Sequence, residues 1–400
     1  MLSLIEAAVR DGQGLLVIDP KTDLVNDVLA RVPENRRDDV VVIDPTSSIP
    51  IGLNPLKDSQ RTPELVADSL LASFKQLFAD SWGVRTEDIL TAALLTLART
   101  KDANLVWLPK LLSDVTFRHK ILAGIHDPLG VEDFWQRYES KREAQRELEI
   151  QPVLNKLRQF MLRPAMRAVL GQTEPKFELS QLFTKHKIVL VSLNKGVLGP
   201  ESARLLGSLI VGQLWPLVLG RAKLLVTRRP VVGVFIDEVQ DYLRLPVDLA
   251  DALAQARSLG VGFCLAHQYR AQLPTELKAA IDTNCRNKIV FGLTSADDAR
   301  DMAKLSNELE TQDFMLLPQY QVYANLMQTG KASGWMSLKT LPPGLAISDP
   351  AELRALSEEH YGVSAKEIET ALIELLRPDS PTGKPSKLVK ETPVGRRELS

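Results

Sequence analysis

The chain has 400 residues, 44% of them hydrophobic, which is enough to bury the core of one large domain or two ordinary ones. Its 49 Lys and Arg nearly balance 50 Asp and Glu, which argues against a protein that binds nucleic acid through a positive charge spread over its whole surface. Any DNA contact must therefore be local. Cys264 and Cys285 fit no metal-ligand spacing and favour a reducing, cytoplasmic compartment. The apolar run 205–219 is too short and interrupted to span a bilayer. Attachment to the inner face of the cell membrane would therefore need a partner or a further segment.

Short apolar, β-branched runs alternate with helical stretches along most of the chain. Strands are predicted at Gly14–Ile18, Val40–Ile43, Lys187–Leu193, Val231–Ile236, Val261–Ala266 and Lys288–Leu293. Helices are predicted at Leu2–Arg10, Leu24–Val32, Ser202–Leu219, Pro246–Leu259 and Ala296–Lys304. This alternation predicts an α/β fold with a mostly parallel sheet that helices cover on both faces.

Residues 63–175 interrupt this rhythm, because they are charged, helix-forming and almost free of strand-like runs. We predict an inserted all-helical domain. Its segment Gln136–Arg167 is locally basic, and clustered cations can displace counterions from a DNA backbone. The candidate DNA contacts are Arg142, Arg146, Lys156 and Arg158. Because glutamates are interleaved with these cations, a solvated helix face is the competing interpretation.

The remaining sequence completes the predicted domain organisation. Edge strands are predicted at Tyr320–Met327 and Gly334–Leu338, and a last helical stretch at Ala351–Arg377. The α/β domain is thus expected at 1–62 and 176–345, the helical domain at 63–175 and a helical segment at 346–377. The tail 378–400 is rich in Pro, Ser, Lys and Arg and is predicted to be disordered. It either contacts DNA or serves as a solubilising linker.

Two adjacent carboxylates, Asp237 and Glu238, follow the predicted strand Val231–Ile236. Parallel sheets bind their ligands at the carboxyl ends of the strands. At that edge Asp237 can hold the magnesium of a nucleotide, and Glu238 can orient and deprotonate an attacking water. The competing interpretation is a buried strand that ends at a charged turn.

The next predicted strand, Val261–Ala266, ends in His267 and Gln268. The amide of Gln268 can sense a γ-phosphate or position water, so the two strand ends together predict an ATPase site. We interpret His267 as structural, because a lone His beside a strand end more often packs than catalyses. Arg286 is a candidate arginine finger for a neighbouring subunit's nucleotide. A solvated or ion-paired arginine is the alternative.

Asp19 and Lys21 follow another predicted strand, which Pro20 stops from extending regularly. Both residues are expected at the same sheet edge as the carboxylates. There they can tune the nucleotide site or contact DNA. A plain strand-terminating turn is the alternative for each.

A phosphate-binding loop of the form G-x-x-x-x-G-K-[ST] is missing from the sequence. The stretch Gly196–Gly199 lacks the Lys-Ser/Thr pair that grips phosphates and magnesium, so it cannot substitute. We therefore expect these 400 residues by themselves to hydrolyse ATP poorly or not at all.

In their order, these features resemble the FtsK/HerA superfamily of DNA-pumping ATPases, and within it the TraG/TraD-like coupling ATPases of type IV secretion and conjugation. The stretches that carry the resemblance are Gly14–Val25, Asp39–Pro45, Gly52–Leu56, Trp82–Arg85, Val191–Gly199, Asp237-Glu238, Gln268 and Asn284–Leu293. The resemblance implies a RecA-like, P-loop NTPase-type domain, with Asp237-Glu238 matching the Walker B pair and Gln268 the glutamine motif.

The same resemblance implies ATP and Mg²⁺ as cofactors and a homo-hexamer that pumps DNA through its central channel. It also implies a relaxase or other type IV secretion components as partners of the helical domain. The sequence departs from the family in lacking the phosphate loop and the membrane-spanning helices found upstream of it. We expect either a product truncated after the phosphate loop or a regulatory pseudo-ATPase. A non-catalytic adaptor and a HerA-like DNA-repair translocase are the alternative functions.

Overall fold

A computed structural model describes residues 1–58, 61–242 and 249–377, and within them the chain forms eight strands and eighteen α-helices. The strands are β1 (Gly14–Asp19), β2 (Val40–Ile43), β3 (Ile188–Ser192), β4 (Val232–Ile236), β5 (Val261–Leu265), β6 (Lys288–Phe291), β7 (Gln321–Gln328) and β8 (Lys331–Lys339). The helices up to the end of the insertion are α1 (Leu2–Arg10), α2 (Asp23–Leu29), α3 (Pro63–Leu77), α4 (Val84–Arg99), α5 (Leu108–Ser113), α6 (Val115–Leu122), α7 (Val131–Glu139), α8 (Glu143–Met161) and α9 (Pro164–Leu170). The remaining helices are α10 (Gln181–Thr184), α11 (Lys195–Leu198), α12 (Pro200–Gly220), α13 (Leu249–Ala256), α14 (Thr275–Asn284), α15 (Ala296–Ala303), α16 (Thr311–Met315), α17 (Pro350–Tyr361) and α18 (Ala365–Leu376).

The central sheet is parallel and has the strand order β2-β3-β1-β4-β5 in the described part of the chain. Alternate residues of β1 enter different cores, because successive side chains of a strand point to opposite faces. Leu16 and Ile18 join the core on one face, and Leu15 and Val17 join the core on the other. Burial on both faces explains why these strands are continuous apolar runs.

Helices cover both faces of this sheet. The smaller core packs β1, β2 and β3 against α1 and α2 and reaches Leu353 of α17. The larger core packs the opposite face against α12 and continues into the helices of the insertion. Among the described residues, Pro200–Lys223 is long and apolar enough to cross a membrane by composition, but 61% of that window is buried. We interpret this segment as a core helix.

The insertion contains α3 to α9 and no strand in the described residues between 61 and 170. Its core is continuous with that of the α/β domain, since Phe74, Trp135 and Leu157 belong to the same buried cluster as Ile236 of β4. The predicted fold class, a mostly parallel α/β sheet with an inserted all-helical unit, is confirmed.

The strand β6 differs from its prediction, because it does not extend the parallel sheet in the described residues. It pairs antiparallel with β7, which in turn pairs antiparallel with β8. The β7–β8 connection places Thr329 at φ 46° and Gly330 at φ 86°. Two successive residues with positive φ form the tight turn that joins neighbouring antiparallel strands. The strand β6 therefore joins the β7–β8 hairpin in a separate three-stranded antiparallel sheet.

The last helical stretch is also divided. Predicted as one stretch over Ala351–Arg377, it forms α17 and α18, with a break at Gly362. A Cβ on Gly362 would lie 2.6 Å from the backbone oxygen of Ile49, and Gly362 makes an isolated β-bridge to Ile51. The close approach of another segment thus ends α17. The start of the predicted helix Pro246–Leu259 and the predicted tail 378–400 lie outside the described residues.

Gly14→Ala tests the packing at the start of β1. A Cβ at this position would lie 2.2 Å from the backbone oxygen of Leu182, so the substitution forces the strand and α10 apart. We expect the free energy of unfolding to fall by about 1–3 kcal/mol, the usual cost of overpacking. Urea denaturation monitored by circular dichroism measures this change.

Gly220→Ala is the matched control, since Gly220 is helical at φ −55° and a Cβ there meets nothing within 4 Å. Its stability should stay unchanged or rise by about 0.4–1 kcal/mol. Equal stability of Gly14→Ala and the wild type would contradict the packing described for β1.

Candidate functional site

The carboxyl ends of the parallel strands bring the predicted site residues to one edge of the sheet. Asp19 is the last residue of β1, Asp237 follows β4, and Gln268 lies three residues after β5. The backbone N–H of Asp237 donates to the carbonyl of Ile18 over 3.0 Å, which aligns the ends of β1 and β4. Parallel α/β sheets place their ligands at this edge.

Glu238 is the centre of this cluster. Its side chain is buried and accepts hydrogen bonds from Lys21 Nζ at 2.7 Å, from Gln240 Nε2 at 2.6 Å and from Gln268 Nε2. The backbone of Glu238 has φ 49°, a left-handed conformation that is uncommon for residues other than glycine. Strained backbone of this kind persists where the surroundings fix it, often at functional sites. The site therefore holds one carboxylate by contacts from its own loop and from the loops after β1 and β5.

The hydrogen bonds at Glu238 determine its charge. Burial disfavours the ionised form, but the bonds from Lys21, Gln240 and Gln268 outweigh burial and lower the pKa of the Glu238 carboxyl. The hydrogen bond to Glu238 in turn raises the pKa of the Lys21 ammonium, whose side chain is 52% exposed. Glu238 and Lys21 thus form an ion pair at neutral pH.

Asp237 has the opposite environment. Burial, followed by the nearby charges of Glu238 and Asp19, raises the pKa of its carboxyl. Such a carboxylate favours an added cation, and oxygen ligands of this type suit Mg²⁺. Among the described residues, no group of three or more His, Cys, Asp and Glu side chains could hold a metal. A cation at Asp237 would therefore need ligands from a bound nucleotide or from water.

Asp19 has a structural task in this arrangement. Its fully buried carboxylate accepts hydrogen bonds from the backbone N–H of Lys21 at 2.7 Å and of Val25 at 3.0 Å. These bonds hold the turn after β1 and satisfy a free N–H in the first turn of α2. The turn positions Lys21 against Glu238, while the hydroxyl of Thr22 meets that of Ser192 at 2.9 Å.

His267 and Arg286 do not contact the carboxylates through any described hydrogen bond or ion pair. Burial, and then the charge of Arg270, lowers the pKa of His267, so this imidazole is neutral. Its Nδ1 is buried without a hydrogen-bond partner. Arg286 lies between α14 and β6 with an exposed side chain. An approach to a neighbouring subunit stays a prediction.

Sequence reasoning missed two residues that organise the site. Gln240 follows Glu238 by two positions and fixes its second carboxylate oxygen, and only this proximity could have pointed to it. Arg270 is buried and donates to both carboxylate oxygens of Asp282, at 3.0 and 2.6 Å. Its backbone N–H donates to Asp298 Oδ2 at 3.0 Å. Arg270 therefore attaches the Gln268 loop to α14 and α15, a long-range link without a local sequence signal.

The candidate DNA contacts on α8 do not form one surface. Arg146 and Arg158 line a groove of the helical insertion together with Glu143 and Glu147. Arg142, just before α8, is exposed. Lys156 is only 8% exposed, and its ammonium lies 6.0 Å from the ring centroid of Phe78. Burial lowers the pKa of Lys156, which therefore is not part of an exposed basic surface.

The mostly parallel sheet with its inserted helical unit is a RecA-like, P-loop NTPase-type fold. The chain is similar to the solved bacterial conjugative coupling protein TrwBdeltaN70 in its unbound monoclinic form, with 14% identity, 88% of this chain and 83% of that chain covered, and a TM-score of 0.63. Plasmid coupling protein TrwB in complex with ADP and Mg²⁺ is 15% identical, with 87% of this chain and 83% of that chain covered and a TM-score of 0.59. VirB4 of Thermoanaerobacter pseudethanolicus is 15% identical, with 85% of each chain covered and a TM-score of 0.56. At these identities the likeness establishes the fold.

The sequence supplies the more specific match. Residues 231–312 match the family described as the TraM recognition site of TraD and TraG. This segment contains Asp237, Glu238, Gln268 and Arg286. Among curated proteins, none matches the chain. The predicted resemblance to type IV secretion coupling ATPases is confirmed.

Asp237→Asn tests the electrostatics of the site. Because the pKa of Asp237 is higher in the folded chain than in the unfolded chain, ionised Asp237 costs stability above its folded pKa. We expect the variant to be more stable than the wild type at neutral pH. This difference should disappear as the pH falls below the unfolded value of about 3.9. Urea denaturation at a series of pH values measures it.

Glu238→Gln is the matched variant with the opposite sign. The folded pKa of Glu238 is lowered, so its ionised form adds stability above the unfolded value of about 4.3. That stability is lost as the pH falls through the lowered folded pKa. At neutral pH Glu238→Gln should therefore be less stable than the wild type. Two variants that shift stability in the same direction would refute the assigned charges.

Proposed function

We propose that this protein couples substrate to conjugative DNA transfer as an ATP-driven DNA translocase. The carrying observation is the pair of unlike carboxylates, in which Lys21, Gln240 and Gln268 hold Glu238 ionised beside Asp237, a carboxylate with a raised pKa. The comparisons with conjugative coupling proteins and with the TraM recognition region of TraD and TraG support this direction.

Each site residue has a role in this proposal. Asp237 would hold the Mg²⁺ of ATP, and Glu238 would accept the proton of the attacking water. Gln268 would sense the γ-phosphate from the loop after β5, which Arg270 attaches to α14 and α15. Arg286 reaches the nucleotide of the next subunit from its exposed loop, within a homo-hexamer. ATP and Mg²⁺ supply the leaving group and the charge that neutralises it.

The described residues match only part of a nucleotide site, since the sequence has no lysine in a phosphate-binding loop. Two features indicate where such a loop would lie. In the described residues β5 pairs only with β4, so its other edge is open. Burial raises the pKa of the Cys264 thiol in β5, and the smaller effect of the Met1 ammonium opposes this rise, which indicates that the start of α1 lies near β5.

A parallel strand paired with the open edge of β5 would end beside the first turn of α1. Free backbone N–H groups at a helix start bind phosphate, so this position suits a phosphate loop. We propose that a further strand and a phosphate loop complete the site there. The unpaired edge of β5 supports this placement.

The test compares residues 1–400 with a form extended by the codons immediately upstream. We expect the extended form to hydrolyse ATP in the presence of Mg²⁺ and to restore DNA transfer in a conjugation assay. Residues 1–400 alone should show little or no turnover. Glu238→Gln in the extended form should abolish both activities, because the general base is lost. Glu359→Gln, an exposed carboxylate on α17, is the control and should have no effect.

Other outcomes select another function. Transfer that requires the protein but tolerates Glu238→Gln would favour the non-catalytic adaptor, which the missing phosphate motif also favours. Rapid ATP turnover by residues 1–400 would contradict the expectation that these residues alone hydrolyse ATP poorly or not at all. The match of residues 231–312 to the TraM recognition region favours a role in conjugation over a HerA-like DNA-repair motor. We also propose that this segment binds a conjugation partner, in addition to a relaxase or another secretion component.

DNA contact by the helical insertion is part of the same proposal. Replacing Arg142, Arg146 and Arg158 with Ala should weaken DNA binding for all sequences. It should also reduce the slope of log K against log salt by about one for each phosphate that the variant no longer neutralises. Fluorescence anisotropy at several salt concentrations measures the slope. Arg137→Ala is the control, because this exposed arginine is paired with Asp133. Equal slopes for all variants would assign these arginines to a solvated face.

A further inference from the structure

The loop between α12 and β4, residues 221–231, exposes three consecutive apolar side chains. Leu224, Leu225 and Val226 are 46%, 68% and 74% exposed. The loop precedes β4, so it lies at the amino edge of the parallel sheet, opposite the edge that carries Asp237 and Glu238. Single exposed apolar residues are ordinary, whereas a contiguous group indicates a surface that something covers. We call residues 221–231 the basic–apolar loop.

Hydrogen bonds fix the shape of the basic–apolar loop. The guanidinium of Arg229 donates to the carbonyls of Ala222 at 3.0 Å, of Leu224 at 2.6 Å and of Ser258 at 2.7 Å. A short 3-10 helix, Val226–Arg228, begins at the last of the apolar residues. Arg229 thus closes the loop on itself and anchors it to the start of β5. The hydrogen bonds of Arg229 thus hold the turn in which Leu224, Leu225 and Val226 face solvent.

The charge of the basic–apolar loop has one sign. It contains Arg221, Lys223, Arg228 and Arg229 and no acidic residue. In the parts of the chain that the structure describes, no salt bridge is found for any of these four cations. Arg221 is buried, with its guanidinium 4.9 Å from the ring centroid of Phe183, and burial lowers its pKa. The exposed cations Lys223 and Arg228 stand on either side of the apolar group.

This combination selects a class of partner. DNA binds cations but gains little from exposed leucine and valine, since most of its contacts are to phosphate and sugar. The centre of a protein interface is depleted in charge. Apolar side chains flanked by lysine and arginine match an anionic bilayer, in which acyl chains lie directly beneath negative headgroups.

We propose that the basic–apolar loop docks this protein onto an anionic lipid bilayer. Leu224, Leu225 and Val226 enter the headgroup–acyl boundary, and Lys223 and Arg228 pair with lipid phosphates. Arg229 is the positioning residue whose hydrogen bonds keep the loop in the closed shape that exposes these apolar side chains. Because the loop lies at the amino edge of the sheet, docking directs the Asp237-Glu238 edge away from the membrane, where it stays accessible to nucleotide. Docking requires no ATP turnover and is independent of the proposed motor activity.

The test is sedimentation of the full 400-residue chain with vesicles of phosphatidylethanolamine and phosphatidylglycerol, compared with vesicles of phosphatidylcholine alone. We expect binding to the anionic vesicles that weakens with added salt. The double variant Leu225→Ser and Val226→Ser should lower the partition coefficient at least about ten-fold, because the inserted apolar surface is removed. Lys223→Glu with Arg228→Glu should remove the preference for anionic vesicles.

Leu148→Ser is the matched control, since Leu148 is a 72% exposed leucine on α8 and should leave vesicle binding unchanged. Failure of the wild type to bind anionic vesicles would overturn the proposal. Light scattering and a DNA-binding assay on the same variants identify the other occupants. A changed oligomeric state without vesicle binding would make the loop an interface between copies. Loss of DNA binding alone would make it a nucleic-acid contact.

Discussion

The parallel pairing of β1 with β3 on one side and β4 on the other is the constraint on which the rest of the structure depends. Residue for residue, Ile18 lies opposite Val191 and Ile236, so the three strands end together. The backbone N–H of Leu193 donates to the carbonyl of Asp19 at 2.9 Å and continues this alignment beyond β3. Asp19 and Asp237 lie at these coincident ends, and Gln268 follows the next strand, β5, which pairs with β4.

At that edge the protein maintains two carboxylates in opposite electrostatic states. Glu238 is stabilised as an anion by hydrogen bonds, whereas burial and neighbouring negative charges make the ionisation of Asp237 unfavourable. Adjacent groups with divergent pKa values are typical of sites that assign different tasks to similar side chains. The positive φ of Glu238 adds local strain to the same turn. The ionisation of Asp237 and the backbone conformation of Glu238 thus lower the stability of the fold while they position the two carboxylates.

Arginines with carbonyl or carboxylate partners connect segments that are far apart in the chain. Arg36 donates to the carbonyls of Val9 and His186, at 2.9 and 2.7 Å, and joins the smaller core to the start of β3. Arg270 links the Gln268 loop to Asp282, and Arg229 shapes the basic–apolar loop. The five donors of a guanidinium make it suited to such multi-partner contacts. Both edges of the sheet are organised in this way.

The parallel strands and the helical insertion could be predicted from the sequence, because doubly buried strands and charged helices have distinct local patterns. Asp237, Glu238 and Gln268 could be named as candidate site residues, because each follows the end of a predicted strand. The antiparallel pairing of β6 with β7, the capping of α2 by Asp19 and the burial of Lys156 could be seen only in the folded chain. The tertiary structure also added Gln240 and Arg270 to the site. These outcomes depend on which distant groups meet, and a hydrogen bond or a buried ammonium between segments leaves no periodic signal in the sequence.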